Sequence, residues 1–375
     1  MKKIDVEQKL QKLVNKIVKS DKHVKNAVLA VSIGDGEFNW SGAAGMADPE
    51  ENQVMTVDTP VFIASITKMF TATVVMLLFE NDKLKLDAPM SDYLPSSLIN
   101  RIHVYNGKDY TDQVLVRHLL SHTSGIPDYY TKAPENGKSF FDILFSEPDR
   151  IWTVEDTIAF ARDNLIPEFA PGEKASYADT NFQLLGFIIE SVTGQSLHDV
   201  YKELIFEPLG MNHTYLYTRS KPIDPDIEKP AHFFFKNTDL TNIKAFESSW
   251  ADGGIVSTVD DCLRFIKAFN TGTIFAQEDT GYLMRDWKKL QKGMYYGFGT
   301  MHFIPPELFF LLFSYPNITG HFGSIGSFLF YCEKQNLYIA GTINQGKSAS
   351  RPFRVVLKVI NLIRKLEKEK NPGSI

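Results

Sequence analysis

The order of helical and extended patterns along the chain predicts an α+β fold with an α/β lobe and a helical lobe. Apolar segments typical of strands lie near the N-terminus and in the last third, whereas helical periodicity dominates the middle up to about residue 210. This order predicts one central antiparallel sheet, built from both chain ends and flanked by helices. We expect a single domain over residues 1–375, with the α/β lobe over about 1–72 and 250–370 and the inserted, mainly helical lobe over about 73–249.

The first elements follow from simple periodicities. Residues 4–19 place six apolar side chains on one face of a helix: Val6, Leu10, Leu13, Val14, Ile17 and Val18. We expect this helix to dock on the protein's own core, with attachment to a membrane surface as the alternative. Residues 27–33 and 38–44 flank the turn sequence Asp35-Gly36 and predict a β-hairpin.

The later elements follow the same rules. Residues 65–79 have almost no polar face and predict a buried central helix. Gly194 predicts a helix end and Thr258 a helix start. Residues 327–332 and 337–343 predict two strands joined by a turn. A final amphipathic helix has an apolar face formed by Val355, Val356, Val359, Ile360, Ile363 and Leu366.

The composition excludes several classes of protein. The 375 residues are 43% hydrophobic and 23% charged, with a formal net charge of −5 and no Lys/Arg stripe, so nucleic acid is not expected as a partner. Cys262 and Cys332 are expected to be buried free thiols. Residues 1–20 lack the apolar region of a signal peptide and no run of about 18 apolar residues occurs, so we expect a cytoplasmic protein without a transmembrane segment.

Several standard catalytic and binding motifs are absent from the sequence. It has no G-x-S-x-G elbow, no P-loop and no G-x-G-x-x-G after a strand. His118 and His122 lie four residues apart on a predicted helix, but no Glu separates them as in the metalloprotease arrangement and no third ligand stands out. We expect a structural role for both histidines, and no metal or cofactor.

The one arrangement that indicates catalysis begins with Ser65-Ile66-Thr67-Lys68. On a helix, positions i and i+3 share a face, so the Ser65 hydroxyl and the Lys68 amine can meet. A serine needs a base to become a nucleophile, and a desolvated lysine can be that base. The motif alone is weak, because a surface serine and lysine at this spacing occur by chance. It is, however, the only Ser-x-x-Lys in the chain, and it lies at a predicted helix start.

Two further segments carry polar groups suited to the same chemistry. Tyr177-Ala178-Asp179 lies at a loop-to-helix junction, and His321-Phe322-Gly323-Ser324 begins a predicted strand. At the edge of a strand, a glycine and an exposed backbone N–H allow close approach to a reacting carbonyl.

With these three motifs in this order, the chain resembles the class C β-lactamase and penicillin-binding-protein-like serine hydrolases, a family that includes esterases and D-aminopeptidases. The family's order is Ser-x-x-Lys, then Tyr-x-Asn, then Lys-Thr-Gly or His-x-Gly. The resemblance covers roughly residues 25–345 and extends to the connecting segments 61–64, 118–125, 171–186, 208–211, 253–258 and 296–299.

The resemblance implies a β-lactamase/transpeptidase-like fold with the active site in the cleft between its two lobes. It implies that Ser65 attacks a carbonyl carbon and that Lys68 and Tyr177 share the proton transfers. The backbone N–H groups of Ser65 and Ser324 would form the oxyanion hole. His321 would stand where the lactamases have lysine, and Asp179, Phe322 and Gly323 would contact the substrate.

Asp179 departs from the family pattern, which has asparagine at this position. An ionised aspartate only accepts hydrogen bonds, whereas asparagine also donates them. Our hypothesis is that Asp179 weakens the binding of acylamino side chains and suits an amine or an ester. A nearby carboxylate also favours the ammonium form of lysine. If Asp179 contacts Lys68, a Tyr177 phenolate becomes the better candidate for the base, and the sequence leaves this choice open.

The third motif also departs from the lactamases. Phe322 has no hydroxyl and His321 is mostly neutral at pH 7, so capture of a substrate carboxylate should be poor. We therefore expect hydrolysis of small esters or amides, with a D-stereospecific peptidase or a weak β-lactamase as alternatives. An inert homologue that keeps the fold for binding or assembly is the alternative from another class. The oligomeric state is open.

The apolar segment 303–315 just before the third motif allows two interpretations. Its run Leu308-Phe309-Phe310-Leu311-Leu312-Phe313 could form an apolar wall of the pocket that suits an acyl chain. We favour the simpler interpretation, an ordinary buried strand or hairpin.

Overall fold

The strands form one large antiparallel sheet and several small ones. The structure is a computed structural model that describes residues 3–276, 281, 284–346 and 350–370. Within those residues the strands are β1 Asn26–Ile33, β2 Phe38–Asp48, β3 Gln53–Val54, β4 Val61–Phe62, β5 Val104–Tyr105, β6 Lys108–Asp109, β7 Tyr215–Leu216, β8 Phe234–Phe235, β9 Thr238–Asp239, β10 Ile255–Ser257, β11 Lys288–Gln291, β12 Met294–Tyr296, β13 Met301–Phe303, β14 Ile318–Phe322, β15 Ser327–Cys332 and β16 Leu337–Thr342.

The helices fill the middle of the chain and both of its ends. They are α1 Lys3–Lys19, α2 Thr67–Glu80, α3 Ser96–Ile99, α4 Val116–Leu120, α5 Phe140–Ser146, α6 Val154–Asn164, α7 Asp179–Thr193, α8 Leu197–Tyr201, α9 Glu207–Leu209, α10 Val259–Thr271, α11 Pro305–Leu308 and α12 Ser350–Lys370, for the described part of the chain. A π-helical turn over Lys202–Phe206 joins α8 to α9. The 3₁₀ turn Ala64–Ile66 leads directly into α2.

The large sheet confirms the predicted α+β fold. Its strand order is β11-β12-β13-β14-β15-β16-β1-β2-β3. The predicted hairpin is β1–β2, in which Ile33 pairs with Phe38. β16 pairs antiparallel with β1, with Thr342 opposite Val28, so the two ends of the chain meet in one sheet. The long segment between β1 and β16, which contains most of the helices, therefore begins and ends in the same sheet.

Helices cover both faces of the sheet. On one face, α1 and α12 enclose a core with β1, β15 and β16, where Val6, Leu10 and Val14 have no exposed surface. The prediction that the first helix docks on the protein's own core is therefore confirmed. On the other face, α2 and α10 pack in the larger core with α7. α2 is apolar around its whole circumference, which is why it is buried on all sides.

Several local predictions are confirmed and one is wrong. Gly194 ends α7 with φ +68°, and the Thr258 hydroxyl caps α10 by accepting from the Asp261 N–H. Both cysteines, Cys262 and Cys332, are buried and neither is in a disulfide, as predicted. Segment 303–315, however, is mostly neither a strand nor buried: α11 and the 3₁₀ turn Phe310–Leu312 occupy it, and Phe309, Phe310, Leu311 and Phe313 are exposed. None of the described helices is long and apolar enough to cross a membrane.

Candidate active site

Ser65 lies on a tight turn between β4 and α2. The turn is the 3₁₀ segment Ala64–Ile66, so the serine precedes the α-helix rather than lying within it. Ala64 adopts φ +48°, a left-handed conformation that residues other than glycine rarely hold. Such strain persists only where the surroundings impose it, and it often accompanies a functional side chain. The turn leaves Ser65 partly exposed.

Lys68 meets Ser65 as the spacing predicts. Its Nζ donates to Ser65 Oγ at 3.1 Å and to the Asp252 carbonyl oxygen at 2.6 Å. The same atom lies 2.5 Å from Asp179 Oδ1. Burial alone would lower the pKa of this fully buried amine, but the Asp179 and Asp252 carboxylates outweigh burial and raise the pKa above its ordinary value. Lys68 is therefore an ammonium group at neutral pH.

Tyr177 is the third predicted catalytic side chain, and it lies just before α7. Its ring centre is 5.1 Å from Lys68 Nζ. The phenol oxygen is buried and makes no hydrogen bond of standard geometry with the described residues. Burial and the Asp179 charge raise the Tyr177 pKa well above its ordinary value, and the nearby Ser65 hydroxyl only partly opposes this rise. Tyr177 is therefore a neutral phenol at rest.

These two pKa shifts bear on the choice of base. The predicted contact between Asp179 and Lys68 is present, and it favours the ammonium form as expected. The same Asp179 charge disfavours a phenolate on Tyr177, so the consequence we expected from that contact does not follow. Each of the two candidate bases therefore holds its proton in the free protein.

His321 lies near the end of β14 behind the catalytic residues. Its Nδ1 is 2.7 Å from the Phe322 carbonyl oxygen, which only accepts, so Nδ1 carries the proton. Nε2 then accepts from the Tyr296 hydroxyl at 3.1 Å. Burial and the Lys68 charge lower the His321 pKa to about 3. The ring is neutral, as the sequence predicts, but it is fully buried and does not line the cavity beside Ser65.

The next three residues take different places. Phe322 packs against Phe330, at 4.5 Å between ring centres, on the sheet face covered by α12. Phe322 does not line the cavity, because successive side chains of a strand point to opposite faces, and its contact with substrate stays a prediction. Gly323 packs against Ala64, where a Cβ would lie 3.0 Å from the alanine Cβ. That close approach brings Ser324 into the cavity wall beside Ser65.

A cavity of about 330 Å³ opens beside these residues. Four of the predicted site residues line it: Ser65, Tyr177, Asp179 and Ser324. Lys68 and His321 lie behind its wall, and Gly323 supports the wall by contact with Ala64. The cavity has an acidic side and an aromatic side, and the sequence analysis missed most residues of both.

The acidic side contains Asp128 and Asp252 in addition to Asp179. Asp252 accepts from the Tyr129 hydroxyl at 2.7 Å and from the Trp250 N–H. Asp128 accepts from the Asp179 N–H at 2.9 Å. Burial and the Asp179 charge raise the pKa of both carboxyls to about 6, so both are mostly ionised at pH 7. No Lys or Arg from the described residues lines the cavity.

The aromatic side contains Phe62, Tyr217, Phe233 and Phe246. Phe62 contacts Tyr217 and Phe233, with ring centres 4.8 and 4.9 Å apart. Phe233 contacts Phe246 at 5.5 Å. These residues come from β4 and from the loops around β7 to β9, which are far apart in the chain. No local pattern could have identified them, because only the tertiary fold brings them together.

His122 supports Tyr177 from behind. Its Nδ1 accepts from the Ala178 N–H at 3.2 Å, and its ring centre is 4.3 Å from that of Tyr177. His118 accepts from the Leu115 N–H at the start of α4. Both histidines thus make structural contacts, as predicted, and burial is the main reason that both have lowered pKa values.

The fold and the Ser65–Lys68 pair define the class: this is a penicillin-recognising type of fold with a serine and a lysine at the head of its central helix. The chain belongs to the Beta-lactamase family, whose model matches residues 6–358. Penicillin-binding protein 4* of Bacillus subtilis (strain 168) is 28% identical over 260 residues, which cover 66% of this chain and 53% of that protein. D-aminopeptidase of Brucella anthropi is 30% identical over 197 residues, which cover 52% of this chain and 34% of that protein.

The matches to solved structures cover almost the whole chain. A D-stereospecific amidohydrolase from Streptomyces sp. is 26% identical with a TM-score of 0.74, covering 93% of this chain and 97% of that one. D-amino acid amidase from Ochrobactrum anthropi SV3, complexed with L-phenylalanine, is 25% identical with a TM-score of 0.75, covering 98% and 99%. By contrast, the chain spans about half or less of the length of the curated relatives named above.

Proposed function

We propose that the protein is a serine hydrolase that cleaves small esters or amides through an acyl-enzyme on Ser65. One observation carries this proposal: Lys68 Nζ lies 3.1 Å from Ser65 Oγ, and Ser65 faces an open cavity. A hydroxyl held by a buried amine is the arrangement that nucleophilic catalysis by serine requires. Family membership supports the same chemistry.

Lys68 must lose a proton before it can serve as the base. Asp179 Oδ1, 2.5 Å away, is a carboxylate in direct contact with the ammonium group. Transfer of the proton from Nζ to Oδ1 leaves two neutral groups, and burial favours neutral groups over ions. The neutral amine then takes the proton of Ser65 as its oxygen attacks the substrate carbonyl carbon. In this scheme Asp179 replaces the solvent as the proton acceptor.

The remaining steps follow from the positions of Tyr177 and Ser324. The tetrahedral oxyanion is stabilised by the backbone N–H groups of Ser65 and Ser324, which line the same wall. As the bond to the leaving group breaks, the leaving oxygen or nitrogen takes the proton of Tyr177, whose hydroxyl has no competing partner of standard geometry within the described residues. Lys68, now an ammonium, returns a proton to Tyr177. Water then releases the acyl group by the reverse sequence.

The charge of the cavity favours substrates that carry an ammonium group. Asp128, Asp179 and Asp252 line it without a lysine or arginine among the lining residues described. Asp179 Oδ1 is buried against Lys68, while 13% of the Asp179 side chain is exposed and the residue lines the cavity. A carboxylate there accepts hydrogen bonds from an amine and repels a substrate carboxylate. Amino esters and amino amides therefore fit better than β-lactams, which bring a carboxylate.

Covalent labelling tests the enzyme proposal directly. A fluorophosphonate probe should add its mass to the native protein and to Ser249→Ala, which changes another serine of the same cavity, but not to Ser65→Ala. If native protein and Ser65→Ala label equally, or if neither labels, Ser65 is not the nucleophile. The second result would favour the inert homologue.

A substrate panel tests the specificity. We expect nitrophenyl esters of amino acids to exceed uncharged esters of equal size in kcat/KM, and a chromogenic cephalosporin to be the poorest substrate. Asp179→Asn should lower the ratio of amino ester to uncharged ester about tenfold, since it removes one charge next to the ammonium group. Asp226→Asn, a change at an exposed carboxylate, should leave the ratio unchanged. Efficient turnover of the cephalosporin would contradict the specificity proposal.

A D-stereospecific peptidase is the second candidate function. Relatives and structural neighbours named D-aminopeptidase, D-amino acid amidase and D-stereospecific amidohydrolase favour it. The acidic cavity is compatible with the free amine of such substrates. Paired D- and L-aminoacyl amides separate this candidate from a non-selective esterase, because only the stereospecific enzyme discriminates between them.

A further inference from the structure

The connection between β13 and β14 exposes four large apolar side chains. Phe309, Phe310, Leu311 and Phe313 have 52%, 72%, 58% and 77% of their surface in contact with solvent. Leu308, Leu312 and Tyr315 from the same connection pack against the core beneath α12. We call the four exposed residues the aromatic tip. Its base is held by the core while its apolar side chains face outward, which is unusual for large apolar groups so close together.

The substrate cavity does not explain the aromatic tip. The tip precedes β14, whereas His321 and Ser324 lie at the far end of that strand. Five residues of strand separate the two ends by roughly 13 Å. No residue of the tip lines the cavity. The substrate cavity therefore gives no reason for the exposure of these four side chains.

Basic side chains flank the aromatic tip on two sides. On one side, the turn after β11 carries exposed Lys292, and the backbone of its Gly293 touches Leu308. On the other side, Arg364 of α12 donates to the Ser314 carbonyl oxygen at 2.9 Å, and Lys365 next to it is exposed.

Two acidic residues, Glu307 and Glu333, also lie near the aromatic tip. Glu307, within the same connection, accepts from the Tyr295 hydroxyl at 2.9 Å. Glu333 lies on a neighbouring turn at this end of the sheet and is followed by Lys334. Of the charged residues named around the aromatic tip, four are basic (Lys292, Lys334, Arg364 and Lys365) and two are acidic.

We propose that the aromatic tip attaches the protein to an anionic lipid bilayer. Phenylalanine and leucine side chains are stabilised at the boundary of headgroups and acyl chains, and lysine and arginine bind anionic headgroups. Lys292 and Lys365 would contact the headgroups on either side of the inserted tip. Contact between two copies of the tip would instead bring the lysines that flank each copy close together, which like-charge repulsion disfavours. The basic residues that flank the aromatic tip therefore favour binding to a bilayer over binding to a second copy of the chain.

Vesicle sedimentation with the 375-residue chain tests this proposal. Native protein should sediment with phosphatidylcholine vesicles that contain phosphatidylserine, and much less with pure phosphatidylcholine. The double change Phe310→Ser and Phe313→Ser should lower the partition coefficient at least about tenfold, since it removes two inserting side chains. Lys292→Gln together with Lys365→Gln should lower it about twentyfold on anionic vesicles only.

Matched controls separate the aromatic tip from general stickiness. Ile166→Ser changes an apolar side chain that is 79% exposed elsewhere, and Lys83→Gln changes an exposed lysine elsewhere. Neither should alter sedimentation, and all variants should keep the native ester hydrolysis rate. Absence of native binding at low salt, or equal binding by the Phe310/Phe313 variant, overturns the proposal. So does a dimer in light scattering that this variant dissociates while vesicles bind nothing.

Discussion

Lys68 and Asp179 join the two helices that meet at the candidate site. Lys68 lies in the first turn of α2 and Asp179 is the first residue of α7, with 2.5 Å between Nζ and Oδ1. Both charges are almost completely removed from solvent. A buried ion pair of this kind costs desolvation on both sides, so it is weak evidence for stability, and its position beside Ser65 is compatible with the proton transfer that we propose.

Asp179→Asn should lower the pKa of Lys68. The carboxylate favours the ammonium group, whereas burial disfavours it, so removing the carboxylate leaves burial less opposed. NMR titration of ε-¹³C-labelled lysine measures this pKa directly. At pH 7 the variant should also lose about a hundredfold in kcat/KM for an uncharged ester, because asparagine cannot accept the lysine proton.

Asp226→Asn serves as the control, since it removes an exposed carboxylate. A Lys68 pKa that stays constant or rises in Asp179→Asn would show that the ion pair does not set the lysine charge. An Asp179→Asn enzyme that hydrolyses the uncharged ester as fast as the native protein would exclude Asp179 as the proton acceptor.

His321→Gln should make stability less dependent on pH between 6 and 4. The folded protein holds the His321 pKa at about 3, whereas the unfolded chain binds the proton near its ordinary value of about 6.5. As pH falls through this window the unfolded state takes up a proton that the folded state does not, so stability decreases. This single group contributes about 1.4 kcal/mol per pH unit to the slope.

Urea unfolding at several pH values measures that slope. Tyr296→Phe is the matched control, because it removes the hydrogen bond to His321 Nε2 but leaves the His321 imidazole in place and buried. In this control the free energy of unfolding should fall by about 1–2 kcal/mol at every pH, and its slope against pH should not change. An equal slope in His321→Gln and native protein would mean that the ring is not held neutral.

Local sequence patterns predict those parts of the molecule whose structure is determined by residues close together in the chain. The β1–β2 hairpin and the Ser65–Lys68 pair each depend on spacing within a few residues, so the sequence is sufficient for them. Tyr177 lies more than a hundred residues away, and only its resemblance to a family motif connected it with Ser65.

The features that sequence reasoning missed depend on tertiary packing. Asp128 and Asp252 become part of the site because separate loops converge on the cavity beside Ser65. The alternation of side chains along β14 places Phe322 on the sheet face covered by α12 and outside the cavity lining, which the motif alone does not reveal. The apolar run at 308–313 predicted burial, yet only Leu308 and Leu312 pack against the core, both partly buried, and the other four residues are exposed.

Gly299→Ala should destabilise the protein and disturb Lys68. Gly299 has φ +72°, and a Cβ there would overlap Ala72 Cβ and lie 2.8 Å from the Lys68 carbonyl oxygen. Both the left-handed backbone and the overlap oppose a side chain, so we expect a loss of about 3 kcal/mol. Since α2 must shift to make room, kcat should also fall about tenfold.

Gly272→Ala is the matched control for this change. Gly272 has a similar φ of +75°, but a Cβ there would meet nothing within 4 Å. Gly272→Ala should lower the free energy of unfolding by about 1 kcal/mol and leave the activity unchanged. Urea unfolding and ester hydrolysis measure both variants, and equal losses would mean that contact with α2 is unimportant.

Phe246→Ala should change the binding of aromatic substrates without changing the chemistry. Phe246 lines the cavity and packs against Phe233, with 5.5 Å between ring centres. A contact between a substrate ring and this wall contributes about 0.5–1.5 kcal/mol, so KM for a benzyl ester should rise roughly fivefold while kcat stays constant. KM for the corresponding methyl ester should not change. Phe145→Ala, which removes a ring outside the cavity, should leave both esters unaffected. A fall in kcat for both esters would instead place Phe246 among the residues that hold the Ser65 turn.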